Sequence, residues 1–134
     1  MPNWCANRLI VTGTPDQLTA LAEFSHCEGS DSFFSDVDVA LVAFDGEIQL
    51  DFHTRWVPPE GSEIRNLSKR FSCHICHTFC EEGEGFCGYH VYSSGEYIDS
   101  ASDDIEWSDD LDEYGYAEVV GPEYVLGNVP DYGG

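Results

Sequence analysis

The sequence predicts an α+β domain that carries an acidic extension at its C-terminal end. Three observations predict this. Residues 3–13 and 47–56 alternate apolar and polar side chains, the period of two that a half-buried strand requires. Two other stretches, one from Pro15 and one from about Glu60 or Ser62, place apolar residues at helical spacing. The charge is also split along the chain. All five Lys/Arg (Arg8, Arg55, Arg65, Lys69, Arg70) precede residue 71, whereas residues 71–134 hold fifteen Asp/Glu and no Lys or Arg.

The elements follow in order. In the first strand Cys5, Asn7, Leu9 and Val11 oppose Ala6, Arg8, Ile10 and Thr12, and Gly13 ends it. Thr14 then N-caps a helix with Pro15 at its first position, and Leu18, Leu21, Ala22 and Phe24 form its apolar stripe. Cys27 to Ser32 reads as a turn-forming linker, Phe33 and Phe34 as buried, and Val37–Phe44 as extended chain before an Asp45-Gly46 turn. The next strand puts Ile48, Leu50, Phe52, Thr54 and Trp56 on one face, and Pro58-Pro59 stops it. The second helix runs to Arg70, with Ile64, Leu67 and Phe71 at helical spacing and Lys69 and Arg70 in its last turn, where cations suit the helix dipole. Ser72–Phe79 and Phe86–Tyr92 are strand-like around a Glu81–Gly85 turn, and a Ser93-Ser94-Gly95 turn leads to a short strand, Glu96–Ile98.

Composition bounds the function. With 42% hydrophobic and 13% aromatic residues in 134, the chain can bury a core, so its acidity is not that of a disordered tail. A net charge of −21 excludes the ordinary nucleic-acid binder, disfavours anionic membranes and points to basic partners, which are often nucleic-acid-binding proteins. Salt adaptation would spread acid along the whole chain, but residues 1–70 carry only eleven acids against their five bases. No stretch is apolar enough for a membrane span and the start has no signal-peptide pattern, so a cytoplasmic protein is expected. In that setting the six cysteines are expected to be reduced thiols.

Cys73-x-x-Cys76 and Cys87-x-x-His90 have the spacing of zinc ligands, and a hairpin could join them. Against this, strand alternation would point Cys73 and Cys76 apart, and small buried cysteines are ordinary core residues. The expectation is therefore no cofactor, with zinc at these four residues as the alternative. Catalysis finds no support: the negative field would raise thiol pKa values, and no phosphate loop of the G-x-x-x-x-G-K type occurs.

Further residues carry a resemblance. The opening Met1-Pro2-Asn3-Trp4-Cys5-Ala6-Asn7-Arg8-Leu9, with Val11 and Gly13, resembles the YubB-type ferredoxin-like family of phage and plasmid proteins. So do Phe52–Pro59 with the following Leu67–Phe71, and the hairpin Glu81–Gly88. The resemblance covers about residues 1–98. It implies a ferredoxin-like βαββαβ antiparallel sheet with two helices on one face, in a phage or mobile-element context, and it implies no activity. Residues 99–134 then form the acidic extension packed on that domain.

Asp99–Glu113 holds eight carboxylates in fifteen residues. Ser102 is read as the N-cap of a helix from Asp103 to Tyr114, stopped by Gly115, with Trp107, Leu111 and Tyr114 as its stripe. Asp109, Asp110, Asp112 and Glu113 would crowd its C-terminal half, where the dipole and their mutual repulsion oppose them. In a helix the carboxylates would fall about every 3 Å, close to the roughly 3.4 Å phosphate spacing of one DNA strand. The sequence therefore points to an acidic DNA mimic: a phage or mobile-element inhibitor that blocks the DNA-binding surface of a host defence complex, anti-CRISPR or anti-restriction. Its expected contacts are Asp99, Asp103, Asp104, Glu106, Trp107, Asp109, Asp110, Asp112, Glu113 and Tyr114. The alternatives are the zinc module and an acidic interaction protein whose basic partner is unrelated to DNA. Tyr116–Val120 reads as a strand, Tyr124, Val125, Leu126 and Val129 as docking residues, and Asp131–Gly134 as loose.

Overall fold

The computed structural model describes residues 3–25 and 39–133. The expectations for Cys27, Phe33, Phe34 and Val37 lie outside them. The elements are β1 (Trp4–Thr12), α1 (Pro15–Ser25), β2 (Ala40–Phe44), β3 (Glu47–Arg55), α2 (Gly61–Arg70), β4 (His74–Glu81), β5 (Phe86–Ser93), β6 (Glu96–Asp104), β7 (Glu106–Leu111) and β8 (Ala117–Gly121). Six strands form one sheet in the order β2-β3-β1-β4-β5-β6, and β7 and β8 form a second, two-stranded sheet. Every pairing is antiparallel. The first four strands in the order 2-3-1-4, with two helices on one face, make the ferredoxin-like arrangement; β5 and β6 extend it past β4.

Local chemistry sets the elements. At the start of α1 the Thr14 hydroxyl accepts the Gln17 N–H at 3.3 Å, and the Gln17 side-chain oxygen accepts the Thr14 N–H at 2.9 Å. This reciprocal capping satisfies two helix-end donors. The helix-side face of the sheet (Leu9, Val11, Ile48, Leu50, Phe52, Ile75) buries Leu18 and Leu21 of α1 and Ile64 and Leu67 of α2 in one cluster. The opposite face is covered at one end only. There Cys80, Cys87, Ile105, Val125 and Val129 form a second cluster, so β4 is buried on both sides over most of its length. At Gly88 a side chain would collide with the Phe79 ring and the Ala101 carbonyl; only a bare Cα lets Phe79 lie across β5.

The expected acidic helix is absent: its residues 103–114 are the end of β6, Ile105, all of β7 and the turn that follows it. The cause is upstream. Ser94 (φ 48°) and Gly95 (φ 86°) make a two-residue reversal with both residues left-handed, which sends the chain straight back along β5. Residues 96–104 then pair with β5, and the expected three-residue strand becomes nine residues long. Ser and Asp are also weak interior helix formers, so little opposes this outcome. The boundary expected between residues 98 and 99 consequently falls inside β6.

Smaller departures have local causes. Trp56 does not continue the inward face of β3. It turns left-handed (φ 69°) and is 51% exposed, because the chain folds back through a Val57 N–H to Arg55 C=O bond before the prolines. Ser72 (φ 51°) belongs to the turn after α2, so β4 begins at His74. Asp131 and Tyr132 are not loose. Asp131 lies 2.8 Å from His53, the Tyr132 carbonyl accepts the Glu82 N–H at 2.8 Å, and the Tyr132 ring packs on the second cluster.

Candidate protein-interaction site

Pairing with β5 decides where the acids of β6 point. Asp103 stands opposite Cys87 on the face that the C-terminal segment covers, and Asp104 stands opposite Phe86 on the other face. Both aspartates of the covered face are held by tyrosines. The Tyr124 hydroxyl donates to Asp103 at 2.8 Å and the Tyr89 hydroxyl to Asp99 at 3.0 Å. The two tyrosine rings meet edge to face at 4.9 Å. Burial, then the hydrogen bond to Asp103, holds the Tyr124 phenol well above its ordinary pKa, so it stays a donor. Asp99 and Asp103 thus help dock the C-terminal segment, a role the sequence reading did not give them. Ile105 was also missed: its N–H donates to the Gly85 carbonyl at 2.8 Å and its side chain enters the second cluster, ending β6 and turning the chain into β7.

Beyond Ile105 the acids lie in the β7–β8 hairpin. Glu106, Asp109, Asp110 and Glu113 are exposed. Asp112 is spent on the turn, where its carboxylate accepts the Tyr114 and Tyr116 N–H groups, both at 2.9 Å, and Gly115 (φ 84°) completes the reversal. The same hairpin exposes aromatic rings: Trp107 at 42%, Tyr114 at 77% and Tyr116 at 70%. Tyr116 and Glu118 join the surface although the sequence reading did not single them out. Their signal is the Asp112-Glu113-Tyr114-Gly115 stretch, which is a hairpin turn and not the expected helix end.

This geometry removes the single-file ladder of charge. A strand rises about 3.3 Å per residue and alternates its side chains, so carboxylates on one face fall about 6.6 Å apart, twice the phosphate spacing of a DNA strand. What remains is a patch of negative charge over two strands and a turn.

The chain's own bases do not answer that charge. Arg8 pairs with Asp51 through two nitrogens at 2.8 and 3.2 Å and donates to the Gly127 carbonyl at 3.0 Å. Arg65 donates to the Gly95 carbonyl at 2.6 Å, Arg55 lies over the Trp4 ring, and Arg70 lies over Phe24 and Phe71. Among the described residues Arg8 and Asp51 form an ion pair and His53 contacts Asp131; neither contact involves residues 96–118.

The four residues of the zinc alternative are not brought together. Cys73 lies in the helix-side core and Cys87 on the opposite face. His90 pairs with His77 in register, and Cys76 pairs with Val91, four positions from the Cys80–Cys87 pair. Four positions is about 13 Å of strand. Among the described residues no three His, Cys, Asp or Glu side chains form a metal-sized group. Burial, the main cause, pushes the Cys5 and Cys80 thiols up to about 12 and Cys73 to about 11, and the described cysteines are free. Burial of this kind opposes formation of the thiolate. No helix among the described residues is long and apolar enough to cross a membrane.

Comparison with known proteins agrees with this fold. The uncharacterized protein YubB of Escherichia coli (strain K12) is 42% identical over 90 residues, 67% of this chain and 62% of that protein. The chain thus spans less than two thirds of its relative's length. The crystal structure of the protein api92 from Yersinia pseudotuberculosis matches 53% of this chain and 25% of its own, at 27% identity and a TM-score of 0.45. Residues 35–119 match the family model described as the ferredoxin-like domain in Api92-like protein, a span running from before β2 through β7 and into β8. By that match the chain belongs to the Api92-like ferredoxin-like family; the matched span takes in the long β6 and most of the acidic hairpin and leaves out β1 and α1.

Proposed function

We propose that this protein works by binding: its acidic hairpin seats on the basic, nucleic-acid-binding surface of another complex and keeps nucleic acid off it. In the mobile-element context implied by the YubB-type resemblance, the partner is a host defence complex in the cytoplasm, a CRISPR effector or a restriction enzyme. The observation that carries the reading is the uncompensated charge of residues 104–113, exposed beside three aromatic rings, with no cation of the same molecule paired to it among the described residues. Attraction between such a patch and a basic surface speeds encounter and is felt over about a Debye length. Trp107, Tyr114 and Tyr116 supply contact area and cation–π partners for arginine. The charge mimicry is that of a patch, not of a phosphate row.

The test is capture from a nuclease-treated bacterial lysate on the immobilised protein, with a DNA duplex as competitor. The expected catch is nucleic-acid-binding complexes that the duplex displaces and that elute between about 50 and about 200 mM salt, the range over which phosphate-like contacts weaken most visibly. A variant carrying Asp104→Asn, Glu106→Gln, Asp109→Asn and Asp110→Asn should lose the catch. Retention by that variant, or a catch indifferent to the duplex, sinks the proposal. The second of these results would mean a basic partner unrelated to DNA.

A further inference from the structure

The two edges of the main sheet are built differently. β6, at one edge, carries Glu96, Asp99, Asp103 and Asp104 and a register shift opposite Val91/Tyr92. Charges and bulges are the usual protection of an open edge against unwanted strand pairing. β2, at the other edge, is Ala40-Leu41-Val42-Ala43-Phe44. It has no charge, no proline and no shift in its five pairs with β3. Val42 is 45% and Phe44 54% exposed.

The register fixes which backbone groups this edge offers. Phe44 and Glu47 flank the two-residue Asp45-Gly46 turn and are paired. Residues that flank such a turn exchange both N–H···O=C bonds, and the pattern alternates from there. Ala40, Val42 and Phe44 therefore bond inward to β3, while the N–H and C=O of Leu41 and Ala43 point to the outer side, where no strand among the described residues pairs with them. Beside them, between α1 and β2, runs a groove of about 390 Å3 whose floor includes Leu18, Ala22, Leu41 and Ile48 and whose rim carries Glu23 and Asp45.

We propose that β2 is a strand-addition site: it accepts an extended segment of a different protein, apolar at alternate positions and flanked by Lys or Arg. The backbone of that segment pairs with Leu41 and Ala43, one of its side chains enters the α1–β2 groove, and its cation meets Glu23 and Asp45. This is the strand-addition mode of peptide recognition, in which main-chain bonds hold the peptide and pockets select it. A second copy of this chain is the wrong occupant, because each copy carries a net charge of −21. The site is independent of the acidic hairpin: its neighbours in the sheet order place it at the far edge from β6.

The probe is a synthetic peptide, acetyl-Lys-Val-Thr-Val-Thr-Val-Lys-amide, titrated into the isotope-labelled protein and followed by amide NMR. The control is the same peptide N-methylated at all five residues between the lysines, which keeps the charge and side chains and removes their strand donors. Shifts at Leu41 and Ala43 with the first peptide, at least about tenfold weaker with the second, support the proposal. Ala43→Pro, which deletes only an outward donor and leaves no amide at 43 to read, and Val42→Lys, which charges the edge, should each abolish the shift at Leu41. If Ala43→Pro does not fold, Val42→Lys decides. Shifts confined to residues 106–120, equal response to both peptides, or a dimer in sedimentation that Val42→Lys dissociates would each overturn it.

Discussion

His77 shows how one side chain's chemistry is fixed by residues distant in sequence. The Asn7 side-chain N–H groups donate to the Cys5 carbonyl and the Thr54 hydroxyl, both at 3.0 Å. Its oxygen therefore faces His77 Nε2 at 2.9 Å, and Nε2 must be the donor. That tautomer leaves Nδ1 bare, and Nδ1 is buried with no partner. A proton there would sit among Phe79 and His90 with nothing to receive it. Burial first, and the neighbouring His90 second, hold the His77 pKa down to about 3 from 6.5. The unfolded chain thus binds a proton below pH 6.5 that the folded chain refuses until near pH 3. Stability is fully present above pH 6.5 and is lost as pH falls through that window, by up to about 1.4 kcal/mol per pH unit for one proton. Burial lowers His90 in the same direction. Urea midpoints measured at pH 7, 6 and 5 (above the bulk of carboxylate titration) should fall for the native chain. They should fall less steeply for His77→Gln, whose amide can still donate to Asn7. Parallel slopes would refute the account. The inward facing of Asn7 and His77 was legible in the alternation of their strands. Their contact was not, because it depends on the β1–β4 register, which pairs Leu9 with His77.

Elements were legible where periodicity and turn chemistry agreed. β1, α1, β3 and α2 satisfied both, and so did the Asp45-Gly46 reversal. The acidic segment satisfied them differently: Trp107, Leu111 and Tyr114 fit a helical stripe, while Ile105 and Trp107 also fit alternation. The opposition of the helix dipole and of mutual repulsion to Asp109, Asp110, Asp112 and Glu113, which in the sequence is a reason to expect binding, is also the signal against the helix. A placement that helix physics opposes on every count is evidence against the helix. The β7–β8 hairpin that forms instead is weakly held. It has two strands, register irregularities on both sides of Trp107 and mostly exposed side chains, and a two-stranded ribbon is marginal by itself. Its anchorage is Ile105 and Val119 on the second cluster. Native-state hydrogen exchange should therefore show the amides of residues 107–118 opening at markedly lower free energy than those of β1 and β4, which are paired on both sides. Equal protection across both sheets would show that the hairpin is part of the same cooperative unit. A hairpin that opens locally can adapt its acids and aromatics to a partner, which a rigid helix could not.

At the scale of the whole molecule, the question is whether the acids serve the fold or something outside it. With 26 Asp/Glu against 5 Lys/Arg, self-repulsion must weaken the compact state. Salt screens such repulsion over distances of about 10 Å at 0.1 M, so the melting temperature should rise with added NaCl. Diffuse salt adaptation and a localised binding patch predict different variants. If the acidity is diffuse, removing four charges of 26 recovers little, and the variant responds to salt nearly as the native chain does. If the strain is concentrated at residues 104–110, where adjacent acids meet with no cation paired to them, the same four changes (Asp104→Asn, Glu106→Gln, Asp109→Asn, Asp110→Asn) recover most of it. The variant should then melt higher at low salt, by about 4 °C for about 1 kcal/mol of relieved repulsion, and show a flatter salt dependence. Differential scanning calorimetry at low and high NaCl on both proteins decides the matter. A stabilised variant that has also lost its partner means that these carboxylates lower the stability of the fold for the sake of binding. A variant that is neutral in stability and intact in binding means that they serve neither, and the functional surface lies elsewhere.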